Sequence, residues 1–193
     1  MNRRADNILS DRLPISFGEA TRNLNRANVE KYQRRILKLS EQLIAGELSF
    51  TEWQREMAAS LKVVHVQNYV LGRGGIDLVS SDNWLSVGRE LKRQYTYLRK
   101  FARDIKSEKL SKRQLLARSQ MYADSATTSF WAGEQDTAIA AGYTEMRRHL
   151  SAADHCEDCP QYAASGWQKA GSLPMPTQQC QCRVRCKCWV EWR

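Results

Sequence analysis

The sequence predicts a mainly α fold: a helical bundle of about four helices, followed by a small cysteine-rich C-terminal unit with a short strand or hairpin. Three observations predict it. Apolar residues recur at steps of three and four through most of residues 19–142. Two of these helical runs open on capping-box sequences. All six cysteines lie between Cys156 and Cys188, where helical periodicity has faded.

Residues 1–18 read as a weakly ordered N-terminal arm punctuated by Pro14 and Gly18. The arm has no apolar core of the secretory kind, so no signal is expected. No run of ~18 apolar residues occurs, so no spanning helix and no membrane partner are expected. Residues 19–142 form the expected helical domain. Its first helix runs from about Glu19 to Ala45, with Val29, Tyr32, Ile36, Leu39 and Leu43 on one stripe and Gly46 beyond its end. Ser49 and Glu52 form a capping box that opens the second helix, whose stripe is Phe50, Trp53, Met57, Leu61 and Val64. Gly72, Gly74 and Gly75 read as its stop. The third helix spans about Ser81 to Lys106, with Trp84, Val87, Leu91, Tyr95, Leu98, Ala102 and Ile105 on its apolar face. Ser111 and Gln114 open a fourth, continued by Leu115, Ser119, Tyr122, Ala126 and Phe130; Gly133 and Gly142 mark possible breaks.

Composition changes after Tyr143. Residues 143–193 read as a separate small unit, too short to bury much surface and therefore in need of a staple. Its cysteines are spaced His155-Cys156-x2-Cys159, then Cys180-x-Cys182-x3-Cys186-x-Cys188. In a reducing cytosol a tight cluster of this kind reads as a metal site before a disulfide framework. Two thiolates on a C-x-x-C turn and two from the second cluster would give zinc its four tetrahedral ligands, with no open position for substrate. The unit is therefore expected to be a zinc-knuckle-like domain holding one structural zinc. Cys156 and Cys159 join two of Cys182, Cys186 and Cys188, and Cys180 is the spare. Disulfides formed on exposure to oxidant, or free thiols, are the alternatives. His155 adjoins the knuckle and is a further candidate ligand, but it reads first as exposed or as a neighbour of the ligands. The alternating Cys188-Trp189-Val190-Glu191-Trp192 reads as a closing strand, with Trp189 and Trp192 packed on the metal site and the helices.

The net charge of +9 is concentrated. Residues 89–118 hold eleven Lys or Arg against three acidic residues, which accounts for eight of the nine charges. Arg89, Lys92, Arg99, Arg103 and Lys106 share the face of the third helix opposite Leu91, Leu98 and Ile105. Such a face is a solvated surface or a contact for DNA phosphates or an acidic protein. No base-reading motif is present, so a DNA contact would be blind to sequence. Enzyme signatures are lacking. Gly72-Arg73-Gly74-Gly75 has no Lys-Ser/Thr of a phosphate-cradling loop, no nucleophile elbow occurs, and His65 reads as a packed or exposed histidine. No catalysis and no small-molecule substrate are expected.

A series of motifs carries a resemblance through most of the chain. It begins with Gly46-Glu47-Leu48-Ser49-x3-Trp53 and Lys62-x2-His65 leading to Gly74-Gly75. It continues with Gln94-x2-Tyr97-Leu98-x2-Phe101-Ala102 and Leu110-Ser111-x2-Gln114-x3-Arg118-x3-Tyr122. It closes with Glu145-x-Arg147-Arg148, the His155-Cys156-x2-Cys159 knuckle, Gly166-Trp167, Leu173-Pro174-x-Pro176 and Cys182-x3-Cys186-x-Cys188. In this order they resemble the tailed-phage minor head, or head morphogenesis, proteins, the group that includes the phage Mu protein F-like proteins. Two departures stand out: Arg185 replaces the Asn that usually opens the final cysteine run, and Cys180 is extra. The resemblance implies a virion structural protein made in the host cytoplasm. It would be present in multiple copies in the phage head and would contact the portal protein or the major capsid protein. The alternative class is a zinc-containing nucleic-acid-binding protein using the basic face at 89–118.

Overall fold

The computed structural model describes residues 15–193, with side chains from Gly18 onward; most of the expected N-terminal arm lies outside the described residues. Five helices make the body: α1 (Ile15–Ala45), α2 (Phe50–Arg73), α3 (Ser81–Lys106), α4 (Lys112–Asp124) and α5 (Ala126–Ala140). A three-residue 3-10 turn, Ile76–Leu78, joins α2 to α3. The C-terminal unit contains β1 (Glu145–His149), a short α6 (Asp158–Ala164), β2 (Gln168–Lys169) and β3 (Trp189–Trp192). The strands form one antiparallel sheet in the order β2-β1-β3, with Met146 opposite both Gln168 and Trp192. The mainly helical class and the closing strand are as the sequence predicts.

The caps explain where the helices begin. Ser49 accepts from the Glu52 amide while the Glu52 carboxylate accepts from the Ser49 amide at 3.0 Å, and Ser111 and Gln114 repeat the arrangement. Each pair satisfies donors that a helix N-terminus leaves free. Ser80 and Asn83 do the same for α3. At the end of α1, Gly46 takes φ +74°, the left-handed conformation that a glycine adopts without cost.

Burial explains why the bundle closes. Ile36, Trp53, Met57, Leu61, Val64 and Phe101 are fully buried in one core shared by α1 to α5. Each such side chain is worth about 1.5–3 kcal/mol, far more than any propensity difference along the helices. The Trp53 and Phe101 rings meet edge-on at 5.6 Å, and Phe101 stacks on Tyr122 at 5.5 Å. The polar atoms inside form a chain. Trp53 Nε1 donates to Ser40 Oγ, Ser40 donates to Ser119 Oγ, and Ser119 donates to the Leu115 carbonyl.

Four details depart from the sequence expectation. Helix α1 starts at Ile15 and passes through Gly18, which costs a helix interior only about 1 kcal/mol. The expected fourth helix is two helices, α4 and α5, hinged at Ser125. Gly72 and Gly133 do not stop helices. They lie inside α2 and α5, where the two cross, and a Cβ on either would overlap the other helix's backbone. Trp84 is 38% exposed although it falls on the apolar stripe of α3.

The helical body and the C-terminal unit share a core. Phe130 and Trp131 of α5 pack with Met146 of β1, Met175 and Val190 of β3, and Leu71, Trp189 and Trp192 line the edge. Trp189 also stacks on His149 at 4.1 Å and lies under the Arg22 guanidinium, while Trp192 Nε1 donates to Glu134 at 3.3 Å.

Candidate metal centre

The local folding that gathers the cysteines starts with the C-x-x-C turn. Cys156 lies two residues before the start of α6 and Cys159 in its first turn, which sets the two sulfurs 3.6 Å apart. The segment 180–188 comes back through a 3-10 turn at Arg183–Arg185 and delivers its four cysteines to the same place. All six cysteines are free thiols, and Cys159, Cys180, Cys186 and Cys188 are buried.

The sulfurs of Cys156, Cys159, Cys180 and Cys182 all lie within 4.8 Å of one another. This four-cysteine cluster could hold a metal ion. A tetrahedral ion with metal–sulfur bonds of ~2.3 Å spaces its sulfurs about 3.8 Å apart. The observed 3.6 Å from Cys156 to Cys159 and 3.9 Å from Cys159 to Cys182 are of that size. Cys180, the spare by spacing, thus sits within the four-sulfur set. Cys186 Sγ lies 3.7 Å from Cys159 Sγ. His155 belongs with Cys188: its Nδ1 is 3.7 Å from Cys188 Sγ, and it shares a 4.8 Å neighbourhood with Cys159 and Cys188.

The electrostatics favour thiolates at Cys186 and Cys156, whereas Cys159, Cys180, Cys182 and Cys188 are held as thiols. Arg148, on β1, is 1% exposed, so its charge is almost wholly inside the protein. Its guanidinium donates to the Pro174 carbonyl at 2.6 Å and stands 3.1 Å from Cys186 Sγ, 3.9 Å from Cys180 Sγ and 4.0 Å from Cys159 Sγ. The Tyr162 ring covers it at 5.5 Å. No carboxylate forms an ion pair with Arg148 among the described residues. A buried guanidinium without a counter-charge is very costly, and the sulfurs are the available anions. The thiols respond. The Cys188 hydrogen bond, with Arg148 nearby, brings Cys186 down to about 4 against the effect of burial. Burial pushes Cys156 up, but hydrogen bonds from Cys182 and Cys159 outweigh it and leave it at about 6. Burial pushes Cys159 up. Thiolates of this kind are the form in which cysteine ligates metal.

Arg148 is the residue for which sequence reading supplied no role. The signal was present in β1, where Met146 and Arg148 alternate with Glu145, Arg147 and His149. Strand periodicity puts Arg148 on the same buried face as Met146.

The second candidate surface lies elsewhere. Arg89, Lys92, Arg99, Arg103 and Lys106 are all exposed on α3. None of the five forms an ion pair with a carboxylate among the described residues, whereas neighbouring Arg93 pairs with Glu90 and Arg118 with Asp104. Arg118 also covers the Phe101 ring at 4.7 Å, so it belongs to the fold rather than to this face. His65 is wholly buried, with Nδ1 2.7 Å from Ser129 Oγ and Nε2 3.1 Å from Ser125 Oγ. Among the described residues no helix is long and apolar enough to cross a membrane. No protein-family model, curated protein or solved structure matches the chain.

Proposed function

We propose that the chain is a structural and assembly protein of a tailed-phage head, a minor capsid or head morphogenesis protein that contacts the portal protein, the major capsid protein or both. One observation carries the reading: the order of motifs from Gly46-Glu47-Leu48-Ser49 to Cys186-Lys187-Cys188 across most of the chain. The positions of those motif residues support it. Ser49 and Ser111 cap helices, Phe101 and Tyr122 stack in the core, and Arg148 enters the cysteine cluster. They maintain a rigid scaffold and leave the outer faces for partners. The metal in this reading is zinc, which suits thiolate ligands in a site closed to substrate.

The five exposed cations of α3, without acidic partners among the described residues, favour a second contact, to packaged double-stranded DNA through phosphates. They also support the alternative, a zinc-containing nucleic-acid-binding protein. Co-expression with a portal and a major capsid protein, followed by nuclease treatment and affinity purification, separates the two. A head protein stays with its protein partner after nuclease; a nucleic-acid binder does not. If the protein retains neither partner, the head-protein reading falls. For the DNA contact, five phosphate interactions predict that duplex affinity drops more than about a hundredfold between 50 and 200 mM salt. A flat salt response removes the DNA contact.

A further inference from the structure

We propose that the cysteine unit holds two thiophilic divalent ions that share the Cys159 thiolate. Cys156, Cys159, Cys180 and Cys182 bind the first, and Cys159, Cys188 and His155 bind the second. The inference deepens the metal reading above and rests on it.

The argument begins with how many neighbours Cys159 has. In one tetrahedron each sulfur has three ligand atoms around it at the tetrahedral edge. Cys159 Sγ has Cys156, Cys180 and Cys182 within 4.8 Å as one mutually close set, and Cys188 and His155 within 4.8 Å as another. Cys186 Sγ is 3.7 Å away. Six donors around one sulfur exceed what a single ion can gather, and five of them fall into two sets, of three and of two, with Cys159 as the shared corner. Cys159 is fully buried at that corner, so all its neighbours are protein.

His155 supplies independent support. Its Nε2 lies 2.7 Å from the Ser151 carbonyl, which can only accept, so Nε2 carries the proton. Nδ1 is then the bare nitrogen, and it is the atom that faces Cys188 Sγ at 3.7 Å. A ring N–H fixed by a backbone carbonyl, with the other nitrogen aimed at the ligand cluster, is the arrangement that orients metal-bound histidines. With a single ion on the four-cysteine set, Cys188 and this lone pair would face each other with no ion between them. Two ions use six of the seven donors and leave Cys186 beside the Arg148 guanidinium. Six thiolates against two dications leave a net charge of −2, which the buried Arg148 guanidinium beside Cys186, Cys180 and Cys159 reduces.

The test is metal stoichiometry of the full chain, purified anaerobically under reducing conditions and titrated with zinc or Co(II). Native mass spectrometry should find two zinc ions per chain. Co(II) should bind in two equivalents with thiolate charge-transfer bands, and the magnetic moment per cobalt should fall at the second equivalent as the bridging sulfur couples the ions. His155→Ala should weaken the second ion at least about tenfold and leave the first in place. Cys159→Ser should lose the magnetic coupling. If that variant does not fold, the half-buried His155 variant still decides the matter. One ion per chain, unchanged by His155→Ala, overturns the second site and leaves the single-ion reading standing. No metal, with a mass reduced by paired hydrogens, means disulfides and overturns both.

Discussion

His65 sits between the hydroxyls of Ser125 and Ser129, and burial keeps its pKa down at about 4, with Glu90 opposing and Arg93 adding to the effect. In the unfolded chain the same imidazole titrates near ~6.5. Folding therefore favours the neutral form. The contribution is fully present above pH ~6.5 and is lost as pH falls toward 4, about 3 kcal/mol over that range. Glu134 behaves in the opposite way. Burial raises its pKa to about 7, against the Trp192 hydrogen bond and the nearby Arg22 charge. Its stability contribution is complete below ~4.5, where the carboxyl is protonated in both states, and is lost as pH rises through 7. Between about 4.5 and 6.5 the two slopes cancel. Glu134→Gln keeps an acceptor for Trp192 and removes the titration. It should be up to about 3 kcal/mol more stable than the parent at pH 8 and equal to it at pH 4, as read by urea unfolding. His65→Gln should flatten the acid limb instead. A Glu134→Gln profile parallel to the parent's would show that the carboxylate is better solvated than its surroundings imply.

At the scale of elements, the crossing of α2 over α5 is where small residues matter most. Gly133→Ala places a methyl group against the Tyr69 carbonyl and the Arg73 amide, and neither backbone group can retreat. Overpacking of this kind costs about 3 kcal/mol, despite the ~1 kcal/mol that alanine ordinarily gains in a helix. Gly88 in α3 is the control. A Cβ there meets nothing within 4 Å, so Gly88→Ala should raise stability by about 0.5–1 kcal/mol. Thermal melts of the two variants should therefore move in opposite directions. The same pair shows what was legible in the sequence. Capping residues are local, so Ser49, Ser111 and the starts they set could be read directly. A glycine that lets two helices touch has the same letter as one that ends a helix, and only the partner distinguishes them. The hinge at Ser125 was hidden for a related reason. The stripe Tyr122, Ala126, Phe130 runs on through it, so apolar periodicity registers one helix where the backbone makes two. In the cysteine unit the sequence located the cysteines but not their grouping, and it set aside Cys180, which lies within the four-sulfur set. That grouping depends on how the 180–188 segment folds back over α6, and spacing along the chain does not encode it.

Besides a small cluster of Tyr69, Val87 and Leu91, the described residues hold three apolar clusters of unequal strength. The bundle core carries Trp53, Met57, Phe101 and Tyr122, and the joining core carries Phe130, Trp131, Met146 and Met175. The third consists of the six cysteines and Tyr162, with no large aliphatic side chain. It cannot bury enough apolar surface to order residues 155–188 unaided, and it confines Arg148 among sulfurs whose charge a metal would stabilise. Removing metal with a chelator under reducing conditions should therefore loosen one end of the protein. Hydrogen exchange should speed up at α6, at 180–188 and along β3, whereas amides in the middle of α2 and α3 should keep their protection. Far-ultraviolet ellipticity should change little, because the long helices lie in the bundle. The joining core makes the boundary informative. Met146 and Arg148 are two residues apart on β1, one packed on Phe130 and Trp131 and the other against Cys186. Exchange at β1 thus reports how far the loss travels: protection retained at Met146 and lost at His149 would place the limit inside the strand. Melting of α2 along with the cysteine unit would mean that metal stabilises the whole bundle. No change anywhere would mean that the thiols hold together without it.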